Sequence, residues 1–143
     1  MTNHRVAQDL LDFIDVSPSP WHVVNSLEQR LEALNFIRLH EVDAWQLKPG
    51  ERYYVIRDES SIIIFVTGQK PPVETGFRII GAHTDSPGLR VKPNASHASG
   101  GLVRVGVEVY GGPILATFTD RDLSLAGRVS YRDNDGEIIS TLV

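Results

Sequence analysis

The spacing of apolar residues changes once along this 143-residue chain, and that change limits the fold more than any other feature. Val6, Leu10, Phe13 and Ile14 fall at helical intervals after the capping candidates Thr2 and Asn3. Ser17-Pro18 ends this helix, because a proline pushes the residue before it out of the α region. A second helix starts with Ser19 as N-cap and Pro20 in the first position, and places Val23, Val24, Leu27, Leu31 and Leu34 on one stripe that reads as core. From residue 51 the period is strand-like. Arg52 to Ile56 and Ile62 to Val66 are β-branched and aromatic runs flanking Asp58-Glu59-Ser60-Ser61, a hairpin signal. Lys70-Pro71-Pro72 marks a surface loop, and a buried strand is expected from Phe77 to Ile80. Three strands after two helices, with Ile62-Ile63-Ile64 apolar on both faces, predict a mixed sheet covered by helices: an α/β half-domain.

Past Pro93 the character shifts. Asn94-Ala95-Ser96-His97-Ala98-Ser99-Gly100-Gly101 reads as a linker, followed by strand-like runs at Leu102–Tyr110, Ile114–Thr119 and Leu125–Tyr131. Val103, Val105, Val107 and Val109 alternate with Arg104, Gly106, Glu108 and Tyr110, as a half-buried strand does. Asp133-Asn134-Asp135-Gly136 is the strongest turn signal, since Asp-Gly accommodates the positive φ values of a type I′ hairpin. The expected division is therefore an α/β part over residues 1–93 and a β-rich part over 94–143.

Composition narrows the function classes. A net charge of −4 provides no basic footprint for nucleic acid or an anionic membrane surface, so neither is an expected partner. The absence of Cys excludes a disulfide framework and thiolate metal ligation, leaving His and carboxylates for any metal. The N-terminus is polar and no apolar run approaches about 18 residues, so neither a signal peptide nor a transmembrane helix is expected, and the cytoplasm is the expected location.

Chemistry concentrates at Gly81-Ala82-His83-Thr84-Asp85-Ser86-Pro87-Gly88. In an extended backbone residues i and i+2 share a face, so the His83 imidazole and the Asp85 carboxylate would emerge together at the end of the Phe77–Ile80 strand. A neutral imidazole suits zinc, and a carboxylate beside it can hold the ring's orientation and tautomer while raising its basicity. The alternative is a hydrogen-bonded histidine in a strand-terminal turn. His22, in the first turn of the second helix, reads as a structural hydrogen-bonding residue. His97, among Ser, Ala and Gly, reads as a solvated loop residue, because flexible flanks cannot preorganise a metal site. Asp120-Arg121-Asp122 reads as an ion-pair and turn cluster, since acids beside a guanidinium are held ionised and suit general-acid work poorly.

Four ordered blocks together resemble the M18, or aspartyl aminopeptidase, family of zinc peptidases. They are Phe13-Ile14-Asp15 leading into Ser17-Pro18-Ser19-Pro20-Trp21-His22, then Gly81 to Pro93, then Val107-Glu108-Val109-Tyr110-Gly111-Gly112, and last Asp120 to Val129. The chain departs from the pattern at Phe118-Thr119, where many members carry Trp-Phe. The resemblance implies hydrolysis of single residues from peptide N-termini at two zinc ions, with preference for acidic residues suggested by the family name alone. It implies that His83 is a metal ligand, that Asp85 is the catalytic carboxylate orienting it, and that an inserted β-rich domain mediates dimerisation, so that a homo-oligomer and peptide substrates are expected. The family's Glu-Glu pair, which supplies the general base and a ligand, and its late His have no counterpart here, the last His being His97. The expected entity is thus an N-terminal portion of such an enzyme: an incomplete mixed-sheet metallopeptidase half-domain followed by the start of the dimerisation domain, inactive in isolation. Two other readings are a non-catalytic oligomerisation module and another His-x-Asp metallohydrolase, such as a deacylase or carboxypeptidase.

Overall fold

Two helices begin the computed structural model, which describes residues 3–143; the capping candidate Thr2 lies outside the described residues. Helix α1 covers Asn3–Asp15 and α2 covers Pro20–Ala33. Ser19 caps α2 from an extended conformation, its Oγ accepting from the His22 amide, and Pro20 occupies the first turn where its missing N–H costs nothing. At the other end Asn35 adopts φ 58°, the Asn35 amide donates to Glu32 O and the Phe36 amide to Leu31 O. That pair of bonds is a Schellman closure, built on Asn in place of the usual Gly.

The chain falls into two units, one of residues up to Thr84 together with Ala126–Val143, the other Asp85–Leu125. The boundary between units lies ahead of residue 93, and position 93 itself falls inside the strand β4 (Gly88–Ser99).

The first unit is α/β. Strands β1 (Ile37–Leu39), β2 (Arg52–Arg57) and β3 (Ser61–Val66) form a sheet in the order β1-β2-β3, with β1 parallel and β3 antiparallel to β2. The predicted mixed sheet is present, but with a different third strand. β1 is only three residues long, too short to show periodicity, and it pairs Ile37 with Tyr53 and Leu39 with Val55. The expected strand at Phe77–Ile80 does not form: the run has no regular structure, and Phe77 and Ile80 are 79% and 100% exposed. A strand exists only through a neighbour that takes up its backbone N–H and C=O groups, and among the described residues no strand pairs with this segment. Ile63, 67% exposed, is not covered as expected for a strand buried on both faces. Lys70-Pro71-Pro72, expected to be loop, leads into a single helical turn, α3 (Pro72–Thr75).

The buried core is made by Val24 and Leu31 of α2 and Tyr53, Tyr54 and Val55 of β2. Val23 and Leu27 are half-buried and Leu34, at the C-cap, is exposed, so the core stripe of α2 is narrower than its sequence pattern. Tyr54, 1% exposed, turns its hydroxyl to Glu28 Oε1 at 3.2 Å, and Glu28 also pairs with Arg38. Burial first, and the Glu28 carboxylate second, push the Tyr54 phenol up to about 12.

The β2–β3 turn is unusual in sequence. Asp58 and Glu59 have φ 49° and 55°, the two positive values a type I′ turn requires, although neither is Gly or Asn. Arg128 faces both, Nη2 at 3.5 Å from Asp58 Oδ1 and Nη1 at 3.0 Å from Glu59 Oε2, while its guanidinium stacks on the Trp21 ring at 5.3 Å. Arg128 opens β6 (Arg128–Arg132), which forms a hairpin with β7 (Ile138–Leu142). Their connection is the predicted Asp133–Gly136 turn, but only Gly136 has positive φ, so it is not type I′. The Asp133 carboxylate instead organises a longer loop by accepting from the Asp135 and Glu137 amides.

The second unit is a long antiparallel hairpin of β4 (Gly88–Ser99) and β5 (Leu102–Tyr110), followed by a 3-10 turn at Leu115–Phe118. Two expectations are corrected here. The supposed linker at 94–101 is the second half of β4 plus a two-residue turn, in which Gly100 and Gly101 both take positive φ between the paired Ser99 and Leu102. Glycines that would loosen a linker are what a I′ turn demands. Ile114–Thr119 is a 3-10 turn and not a strand. The pairing slips between Val91 and Ser96, where Asn94 has φ 54°, which marks a bulge.

Candidate functional site

His83 and Asp85 lie in irregular chain that bends at Thr84 and leads into β4, so the extended backbone expected to put them on one face is not present. His83 is exposed and Asp85 half-buried. Without a Phe77–Ile80 strand beneath it, the pair owes its placement to local anchors. Thr84 Oγ1 donates to Ser60 O at 3.0 Å, tying the residue between the two to the β2–β3 turn.

Asp85 is gripped within its own unit. Tyr110 Oη donates to Asp85 Oδ2 at 2.6 Å. This bond, and then the carboxylate's charge, raise the phenol above the usual tyrosine range. The Arg90 guanidinium covers the same ring at 4.1 Å from its centre. Register accounts for the meeting, because Gly88 pairs with Tyr110 across the hairpin. Gly111, at φ 70°, lets its backbone approach Pro87 so closely that a Cβ there would lie 3.3 Å from the proline ring.

The other polar candidates are apart from this place. His22 Nδ1 is 2.7 Å from Ser19 Oγ and belongs to the α2 cap. His97 lies in β4 opposite Arg104, on an exposed strand and not in a loop. Asp120 and Arg121 form an exposed contact of 3.4 Å in a turn. A cavity of about 270 Å³ in the α/β unit is lined by Trp21, Glu28, Arg38, Glu59, Arg128 and Leu142 among others, and neither His83 nor Asp85 borders it. Tyr110 and Arg90 were not distinguishable in the sequence as companions of Asp85. Alternation alone puts Tyr110 on the polar side of β5, and only the hairpin register sets it against a residue 25 positions away.

A catalytic zinc takes three protein ligands and keeps one position open. Among the described residues there is no group of three or more His, Cys, Asp or Glu that could hold a metal ion. The imidazole is of the right chemical type, but these residues by themselves do not make a zinc site, and no reaction step through the metal follows from them.

Comparison with known proteins agrees with the motif reading. A family model described as "Aminopeptidase I zinc metalloprotease (M18)" matches residues 13–143. The "Probable M18 family aminopeptidase 2" of Pseudomonas paraeruginosa is 54% identical over 136 residues, which are 95% of this chain and 32% of that protein. The protein of the same name from Ectopseudomonas mendocina is 54% identical over 139 residues, 97% of this chain and 32% of its own length. Among solved structures, a chain in the cryo-EM structure of the Ape4 and Nbr1 complex matches with a TM-score of 0.89 and 46% identity, covering 96% of this chain and 26% of that one. The mApe1 dodecamer of Saccharomyces cerevisiae matches with a TM-score of 0.86 and 34% identity, covering 96% of this chain and 33% of that one. The chain therefore spans about a third of the length of the curated relatives it matches. On the family match, the sequence identities and the shared fold, it belongs to the M18 family of zinc metallopeptidases, the aminopeptidase I family.

Proposed function

We propose that this chain is a portion of a zinc aminopeptidase with two metal ions, which removes single residues, acidic ones among them, from peptide N-termini. His83 serves as a ligand to one metal, and Asp85 fixes the orientation and tautomer of its imidazole. The observation that carries the reading is His83-Thr84-Asp85 inside the span matched to a zinc peptidase family, with Thr84 and Asp85 both anchored by hydrogen bonds. The remaining ligands and the general base belong to sequence outside this chain, so the isolated chain is inactive. The α/β unit contributes to the metallopeptidase domain and the β-rich part to a dimerisation domain. Self-association fits the dodecamer named for the yeast relative, and the cytoplasm is the location.

The test uses the full-length protein. His83→Ala should abolish release of N-terminal residues, whereas His97→Ala, on an exposed strand with no built surroundings, should leave the rate within about twofold, as surface changes usually do. Equal losses for the two variants, with circular dichroism unchanged, would refute the assignment of His83. Turnover of N-acyl amino acids in place of free-amine peptides would point to a deacylase.

A further inference from the structure

We infer that the β2–β3 turn, Asp58-Glu59-Ser60, is a clasp that fastens together the two points at which the chain leaves and rejoins the α/β unit, with Arg128 as its detachable half. The chain leaves this unit after Thr84 and re-enters it at Ala126, and every member of the clasp belongs to it.

Both crossings are tied to the same three residues. On the way out, the Thr84 hydroxyl donates to Ser60 O at 3.0 Å. On the way back, the Arg128 guanidinium reaches Asp58 Oδ1 at 3.5 Å and Glu59 Oε2 at 3.0 Å. The two carboxylate side chains are 73% and 65% exposed, so either ion pair alone would hold little. Here both fall on one guanidinium, which also lies 5.3 Å from the centre of the Trp21 ring. The residue before it, Gly127, exchanges backbone hydrogen bonds with Val143, so the grip on Arg128 passes to the base of the β6–β7 hairpin. The backbone of the turn indicates what its acidic side chains are for. Positive φ at two successive positions suits Asn-Gly best, and Glu59 at φ 55° has no short side chain to offset the strain locally. Asp58 and Glu59 therefore weaken the turn as a turn, and what they contribute is a pair of carboxylates facing Arg128.

Amide hydrogen exchange in the full-length protein, read in peptides covering residues 127–132 and 138–143, tests the clasp. Arg128→Met keeps an aliphatic stem over Trp21 and removes the charge; exchange in these peptides should rise about fivefold, the most that exposed ion pairs usually supply. Asp58→Asn/Glu59→Gly gives the turn a sequence that suits its backbone, so β2 and β3 should exchange no faster than in the wild type while β6 and β7 again exchange about fivefold faster. Thr84→Val, which changes neither the turn nor Arg128, should raise exchange in the same peptides about twofold, as loss of one neutral hydrogen bond does, and should add nothing in the Arg128→Met background. Unchanged exchange of β6 and β7 in either clasp variant would overturn the inference. So would a rise of equal size in β2 and β3, which marks a general loss of stability, or effects of Thr84→Val and Arg128→Met that simply add.

Discussion

Removing the Tyr54 hydroxyl tests the core and its polar attachment together. In Tyr54→Phe the ring stays buried, and the change is the loss of the 3.2 Å bond to Glu28. Glu28 keeps Arg38, so the carboxylate is not left unpaired. The cost should then lie at the lower end for a hydrogen bond to a charged group, about 1.5 kcal/mol. The phenol adds a pH signature. Its pKa is about 12 in the folded chain, against about 10 unfolded. A folded-state pKa raised above the unfolded value means that this contribution is present below about pH 10 and lost as pH rises through about 12. At pH 11 the unfolded phenol is mostly ionised and the folded one mostly not, so the wild-type chain has lost about 1.4 kcal/mol through this group, a loss that Phe cannot suffer. Urea unfolding followed by Trp fluorescence at pH 8 and pH 11 measures both ends. The stability difference between wild type and Tyr54→Phe should be about 1.5 kcal/mol at pH 8 and close to zero at pH 11. A difference that stays constant across that range would refute the account, because Tyr110, the other tyrosine with a raised pKa, is present in both proteins and cancels.

Further outcomes follow from the same structure. The 143-residue chain should bind zinc only weakly, because ligand count sets metal affinity and no three-ligand group is present among the described residues; stoichiometric binding below about 1 μM in calorimetry would contradict this. Gly111→Ala should destabilise the hairpin unit by about 1–3 kcal/mol, since it combines a φ of 70° with a Cβ placed 3.3 Å from Pro87; loss of amide protection across β4 and β5 in hydrogen exchange is the readout, and unchanged protection would count against the close approach. The chain alone should associate at low micromolar concentration, because Phe77, Ile79 and Ile80 expose large apolar side chains near one another in sequence; light scattering from a monodisperse monomer without hydrophobic-dye binding would show otherwise.

The sequence by itself determined the local elements whose causes are local. The α2 cap was legible in Ser19-Pro20 because both act within one turn, and the β2–β3 hairpin in two β-branched runs around a polar break. The zinc peptidase family was legible in four ordered blocks, now matched over residues 13–143. What the tertiary structure decided was everything that depends on a partner distant in sequence. Phe77–Ile80 has strand composition, yet among the described residues it has no strand neighbour and remains irregular. Ile37–Leu39 is too short to announce itself and becomes a strand because β2 lies alongside. The residues 94–101 look like a linker, yet the pairing of β4 with β5 turns their glycines into a tight turn. Arg128 meets Asp58 and Glu59 about 70 positions earlier in the chain, and Tyr110 meets Asp85, because strand pairing and chain return bring them together. Periodicity and capping are short-range and written in neighbouring residues; register and ion pairing are long-range, and only the folded chain expresses them.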